Sequence, residues 1–187
     1  MKAKGLDPDE HIVLLRRIAA GSEQALSEFY QAFHSSVYAF ALKLLKDPVD
    51  AAEILNGVMM EVWRCASLFE GRSRARTWVM GITHHKIIDQ LRKRGRHKTE
   101  EIDPNIPDEN SSVVLDAIVS AENAKFIRRC MEKLSDAHHQ VVHLTFFEDL
   151  SYPEIAQILN CPLGTVKTRM FHAKQLLKKC LAKLMKQ

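Results

Sequence analysis

The chain has 187 residues, 46% of them hydrophobic, and a formal net charge of +4. That suffices for one folded domain or two small ones, and the distribution of charge carries more information than its sum. Four cysteines at 65, 130, 161 and 180 form no CxxC pair, which argues against a zinc ribbon or a disulfide framework and predicts buried thiols in a reducing cytosol. No signal peptide is evident and no apolar run approaches the ~20 residues of a membrane span, so a soluble, cytoplasmic protein without membrane insertion is expected.

Hydrophobic periodicity predicts an almost wholly helical chain, because no segment alternates at period two. A first helix is expected over about 9–20, ending at Gly21. Ser22 caps a second, with Leu26, Phe29, Tyr30 and Phe33 on its apolar face. A third runs from about 36 to 46 and stops at Asp47-Pro48, since the residue before proline avoids the helical region. A fourth, over about 49–68, carries Ala52, Leu55, Met59, Val62, Trp63 and Ala66. A loop from Phe69 to Ser73 leads into a fifth, over about 75–94, with Trp78, Ile82, Ile87, Ile88 and Leu91 as its apolar face.

Residues 72–98 hold nine Lys/Arg against the single acid Asp89, a local balance of +8. Arginines interleaved with an aromatic residue, as in Arg72-Ser73-Arg74-Ala75-Arg76-Thr77-Trp78, suit single-stranded nucleic acid: bases stack on rings and cations follow the backbone. Trp78 itself shares the Ile82 face and is expected in the core. Residues 99–122 then hold seven Asp/Glu and no Lys or Arg. With Pro104, Pro107 and few apolar residues, the stretch 99–112 cannot bury enough surface to fold alone and reads as a linker. Helical periodicity resumes near Val113 and continues to Leu134, followed by a helix from Asp136 to Phe147.

The most informative stretch is LSYPEIAQILNCPLGTVKTRMFHAK, Leu150 to Lys174. Ser151 and Glu154 fit a capping box, with Pro153 in the first turn. Asn160 tolerates the left-handed conformation that ends a helix, and Pro162 can open the next. Leu163, Val166, Met170, Ala173 and Leu177 then form a buried seam. That seam leaves Lys167, Thr168, Phe171, His172 and Lys174 facing outward. A helix, a tight turn and a second helix is the arrangement that places a recognition helix in the DNA major groove. From Gly164 to Gln187 there are seven Lys/Arg and no acid, whereas a solvated helix mixes signs. One sign suits phosphate.

Catalytic constellations are missing. His84-His85 with Asp89, and His139 with His143, lack a third metal ligand at a recognisable spacing and the HExxH glutamate. There is no glycine-rich phosphate loop and no GxSxG, so no enzyme, metal or cofactor is expected. A stand-alone duplex-binding regulator is the rival reading, but it has no need of the basic Trp-bearing helix.

The order of these parts resembles the extracytoplasmic-function sigma factors, specificity subunits of bacterial RNA polymerase. The resemblance spans essentially the whole chain. It is most specific at Ser151, Tyr152, Glu154, Ile155, Ala156, Pro162, Gly164, Thr165, Val166, Lys167, Arg169 and Ala173, and next at Phe69 through Arg96. It implies an all-α protein of two small helical domains joined by an acidic flexible linker, the C-terminal one with a helix-turn-helix. Residues 1–98 would be a region 2-like domain, 99–120 the linker and 121–187 a region 4-like domain. The implied partners are core RNA polymerase, promoter DNA and an anti-sigma factor. The implied minus-35 contacts are Lys167, Thr168, Arg169, Phe171, His172 and Lys174, with His172 standing where the family carries arginine. The implied minus-10 contacts are Phe69, Arg72, Arg74, Arg76, Trp78, His85, Arg92, Arg94 and Arg96, with His85 in place of the usual asparagine. Polymerase docking is implied for Asp50, Glu53, Asn56, Met60 and Trp63. Asn56-Gly57 replaces a Gln-Glu pair there.

Overall fold

A computed structural model describes residues 8–95 and 121–184, and the regular elements among them are all helical. These residues fall into two compact units, the first built on the helices of 8–95 and the second on most of 121–184. Arg96, the acidic stretch 99–120 and the expected start near Val113 of the helix running to Leu134 lie outside the described residues.

In the first unit α1 (Pro8–Ala19) ends at Gly21, whose φ of +86° takes the left-handed turn. Ser22 caps α2 (Glu23–Leu45) by accepting from the Ala25 amide at 3.2 Å. The break predicted at residue 36 does not occur; the second and third predicted helices are one. Phe29, Phe33, Val37, Phe40 and Leu44 continue a single buried stripe straight through Ser35-Ser36, and that burial overrides the weak helix preference of two serines. Lys46 closes α2 in the left-handed region at φ 57°. Asp47 then caps α3 (Pro48–Cys65), accepting from the amides of Val49 and Asp50. A short 3-10 turn, Ala66–Leu68, follows.

Helix α4 (Ala75–Lys93) packs on α1, α2 and α3 with a face other than the one its hydrophobicity suggests. Its buried residues are Ala75, Thr77, Val79, Met80, Thr83, His84 and Ile87. Thr83 tolerates burial because its hydroxyl donates to the Val79 carbonyl at 2.8 Å. Trp78, Ile82, Ile88 and Leu91, predicted to face the core, are only half-buried. Two threonines and a histidine on the inner face hide the true stripe from a hydrophobicity count.

In the second unit α5 (Ala121–Met131) and α6 (Asp136–Phe146) both precede the helix-turn-helix. The latter comprises α7 (Tyr152–Ile158) and α8 (Leu163–Leu184). Glu154 accepts from both the Ser151 amide (2.9 Å) and the Ser151 hydroxyl (2.6 Å), so the glutamate arm of the capping box forms and the hydroxyl donates to that same carboxylate. Asn160 ends α7 at φ 48°, in the left-handed region. Helix α8 packs against α5 and α6 through Val166, Met170, Ala173 and Leu177, all buried. Leu163 leaves the predicted seam and is 42% exposed.

The cysteines correct an expectation. Cys130 of α5 and Cys180 of α8 form a disulfide with Cα atoms 5.8 Å apart, a pairing across 50 residues that no local spacing announces. Cys65 and Cys161 are free and half-buried rather than buried.

Candidate nucleic-acid interface

Rotating α4 so that its small and polar residues face inward leaves a second stripe outside. Trp78, Ile82, His85, Asp89 and Arg92 recur at spacings of 4, 3, 4 and 3, which places them on one face of the helix. They run from half-buried (Trp78, Ile82) to exposed (His85, Asp89, Arg92). Phe69, closing the 3-10 turn with its amide on the Ala66 carbonyl at 3.2 Å, brings its ring to 5.4 Å from Trp78 at 56°. The two rings make a half-exposed aromatic ledge at the upper end of the stripe. Between them the chain turns at Gly71, φ 72°, and carries exposed Arg72, ion-paired with Glu70, and half-buried Arg74.

Two cations predicted to meet DNA also hold partners within the first unit. The Arg76 guanidinium lies over the fully buried Phe33 ring, 5.2 Å from its centroid, a cation–π contact that pins the start of α4 to α2. Arg94 forms a salt bridge with Asp50 at the start of α3. That pair leaves Asp50, expected in the polymerase-docking set, only 8% exposed. Both residues were read as surface charges because sequence shows each charge without its partner.

The rest of the predicted docking set does share a surface. Glu53, Asn56 and Met60 are exposed and Trp63 is half-buried. Val49, 69% exposed, belongs to the same stripe and was missed. The spacing 49, 53, 56, 60 would have shown it. At Gly57 the stem of Lys86 crosses α3, and a Cβ there would meet Lys86 Cδ at 3.7 Å. Lys86 Nζ reaches Glu61 at 3.3 Å, while the Cys65 thiol donates to the same carboxylate at 3.2 Å. The Cys65 hydrogen bond and then Lys86 hold the Glu61 carboxyl below its ordinary pKa, and the same bond pushes the Cys65 thiol up.

On α8, Lys167 is exposed, and Phe171, His172 and Lys174 are half-buried. Thr168 is the exception to the predicted outward face. It is 7% exposed and its hydroxyl donates to the Gly164 carbonyl at 3.0 Å, so it has turned in beside the seam. Arg169 is half-buried, with its Nε sheltered and without a hydrogen-bond partner. Burial raises the pKa of the nearby Cys161 thiol, and the Arg169 charge pulls it partly back. The α8 face is one-signed at Lys167, Lys174, Lys178, Lys179 and Lys183, as a phosphate-tracking helix requires.

Of the four histidines considered for metal, His84, His139 and His143 are buried and His85 is exposed. His143 Nε2 lies 3.3 Å from the buried Glu148. Among the described residues no group of three or more His, Cys, Asp or Glu could hold a metal ion, and no helix is long and apolar enough to cross a membrane.

A two-unit helical chain with an aromatic-basic face on one unit and a basic helix-turn-helix on the other defines a sigma-type promoter-recognition protein, and the family models agree. Sigma-70 region 2 matches residues 29–97 and Sigma-70 region 4 matches residues 127–177. ECF RNA polymerase sigma factor SigK of Mycobacterium tuberculosis (strain ATCC 25618 / H37Rv) is 30% identical over 176 residues, covering 90% of this chain and 91% of that protein. SigK of Mycobacterium ulcerans (strain Agy99) is 28% identical, covering 92% and 94%. The fold is shared with CnrH, solved in complex with the cytosolic domain of CnrY, at TM-score 0.64 and 19% identity over 95% of this chain and 99% of that one. It is shared too with RpoE of Bartonella quintana, solved with the anti-sigma factor NepR, at TM-score 0.59 and 22% identity over 83% and 97%. The chain belongs to the ECF RNA polymerase sigma factors, and so acts with core RNA polymerase on promoter DNA to initiate transcription.

Proposed function

We propose a division of labour among three surfaces. The outward stripe of α3, with Val49, Glu53, Asn56, Met60 and Trp63, docks on core polymerase. The Phe69–Trp78 ledge, the loop arginines Arg72 and Arg74, and His85 with Arg92 open and hold the minus-10 element. On α8, Lys167, Phe171 and His172 read minus-35 bases, with Arg169 and Lys174 at phosphates. The residues to 98 serve the first two tasks, those from 121 the third, and the acidic linker 99–120 lies along a positively charged channel of the polymerase. Asp50, Arg76, Arg94 and Thr168 support these surfaces from inside. The protein performs no catalysis itself and works in the cytoplasm under an anti-sigma factor, as the NepR partner of RpoE, a protein of the same fold, suggests.

The observation that carries this reading is the orientation of α4. A helix that buries threonine and histidine while leaving Trp78 and Ile82 half-exposed beside Phe69 forgoes apolar burial, and a surface ring suited to stacking on an unpaired base accounts for that choice. A duplex-only regulator gains nothing from it. The reading is tested by co-elution with core polymerase and run-off transcription. Wild type should co-elute and transcribe, and Met60→Glu with Asn56→Arg should remain folded but fail to co-elute. A chain that binds duplex promoter as a dimer and ignores core polymerase would contradict the proposal.

A further inference from the structure

The proposed minus-35 reader His172 is not alone on its surface. Its ring lies 6.1 Å from the ring of His138, inclined at 58°, and 5.7 Å from Phe171, edge-on at 76°. His138 belongs to a different helix, in the first turn of α6. Ser135, the N-cap of α6, fixes it twice: its Oγ accepts the His138 amide at 3.4 Å and sits 3.0 Å from His138 Nδ1. Cap, first-turn imidazole and recognition-helix imidazole therefore form one connected chain, from a helix outside the helix-turn-helix into the groove-facing side of α8.

We infer that His138 is a positioning residue for base readout by His172, so that specificity at one minus-35 step depends on α6 as well as on α8. The inference rests on the reading of α8 as the minus-35 helix. A histidine on an exposed helix face samples several rotamers, and a base contact must fix one of them; a ring already packed against it removes part of that ordering cost before DNA arrives. The geometry of the read is equally sensitive, because a neutral imidazole offers one donor and one acceptor at opposite edges. A swing about χ2 exchanges what the base edge meets. An arginine at this position would bring its own rigid fork. A histidine needs an external brace, and His138 is the side chain that provides it. Ser135 in turn keeps the brace from following His172 as it moves.

The test uses holoenzyme reconstituted with core polymerase and a set of duplex promoters in which each minus-35 base pair is varied singly. His172→Ala should flatten preference at one step. His138→Ala should flatten that same step about five-fold and leave the others unchanged, while the double variant should do no more than His172→Ala alone. His138→Phe, which keeps a ring but loses the Ser135 bond, should retain most of the preference, and His138→Asn should lose it. This pair decides the question if the alanine variant folds poorly. Equal loss at every step, or effects of His138→Ala and His172→Ala that simply add, would overturn the inference. Lys167→Ala separates the two levels. If it and His172→Ala leave every step unchanged, α8 is not the minus-35 helix and both readings fall together; if they act as expected and His138→Ala is additive, only the positioning role fails.

Discussion

Helices α4 and α8 carry the two proposed DNA faces, and they settle the competition between core and surface in opposite ways. Along α8 the apolar residues Val166, Met170, Ala173 and Leu177 go in and Lys167, Lys178, Lys179 and Lys183 stay out, so over most of the helix stability and function ask for different residues. Along α4 the largest apolar side chain, Trp78, stays half out while Thr77, Thr83 and His84 go in. The fastenings differ too. The far end of α8 is tied covalently to α5 through Cys180 and Cys130, that of α4 by the Arg94–Asp50 ion pair. A face that reads duplex DNA by charge can sit on an ordinary amphipathic helix. One that must receive a base keeps apolar surface outside and needs extra anchors, which Arg76 over Phe33 and Arg94 on Asp50 supply.

Each fastening can be cut. Replacing Cys130 and Cys180 by serine should lower the stability of the second unit by about 4 kcal/mol, the loop-closure value for a bridge of this span. Denaturant unfolding followed by hydrogen exchange would assign the loss to α5 and α8. If stability were unchanged, the disulfide would not be what holds the end of α8. On α4, Ile87→Ala should cost about 3 kcal/mol, as a fully buried isoleucine does, and Ile82→Ala less than about 1 kcal/mol. Equal costs at the two positions would mean that α4 does not use the face described. Arg94→Ala should cost about 2 kcal/mol by stranding a largely buried carboxylate. Should it leave unfolding untouched yet reduce the salt slope of DNA binding by about one, Arg94 is a phosphate contact after all. The smallest effect is expected at Gly57. Ala there meets Lys86 at ordinary contact distance and should stabilise α3 by about 0.5–1 kcal/mol in thermal unfolding; a loss would show that Lys86 needs the gap.

Much of the fold was legible because it rests on local chemistry. The caps at Ser22, Ser151 and Asn160, the stop at Asp47-Pro48 and the α8 seam follow from residue types at fixed offsets. What was illegible depends on partners distant in sequence. Asp50 and Arg94, Arg76 and Phe33, and Cys130 and Cys180 meet only in the fold, so the three charged residues read as surface charges and the two cysteines as buried thiols. Thr168 was misread, and Thr83 overlooked, for a subtler reason. A threonine that returns its hydroxyl to a carbonyl four residues back behaves as an apolar side chain. That option is invisible to any scale that scores the hydroxyl as polar.

The central claim is that α4 opens DNA and α8 does not, and permanganate reactivity of thymines near the start site measures it directly. With holoenzyme on a duplex promoter, Phe69→Ala with His85→Ala should preserve core binding and closed-complex formation while thymine reactivity falls sharply. A template pre-melted across the minus-10 region should restore most transcription, because the few kcal/mol of unstacking no longer have to be supplied by the ledge. Lys167→Ala with Phe171→Ala should instead weaken the closed complex, with reactivity per bound complex unchanged. Normal thymine reactivity in the Phe69/His85 variant, or an equal loss of melting per bound complex in both double variants, would contradict the claim.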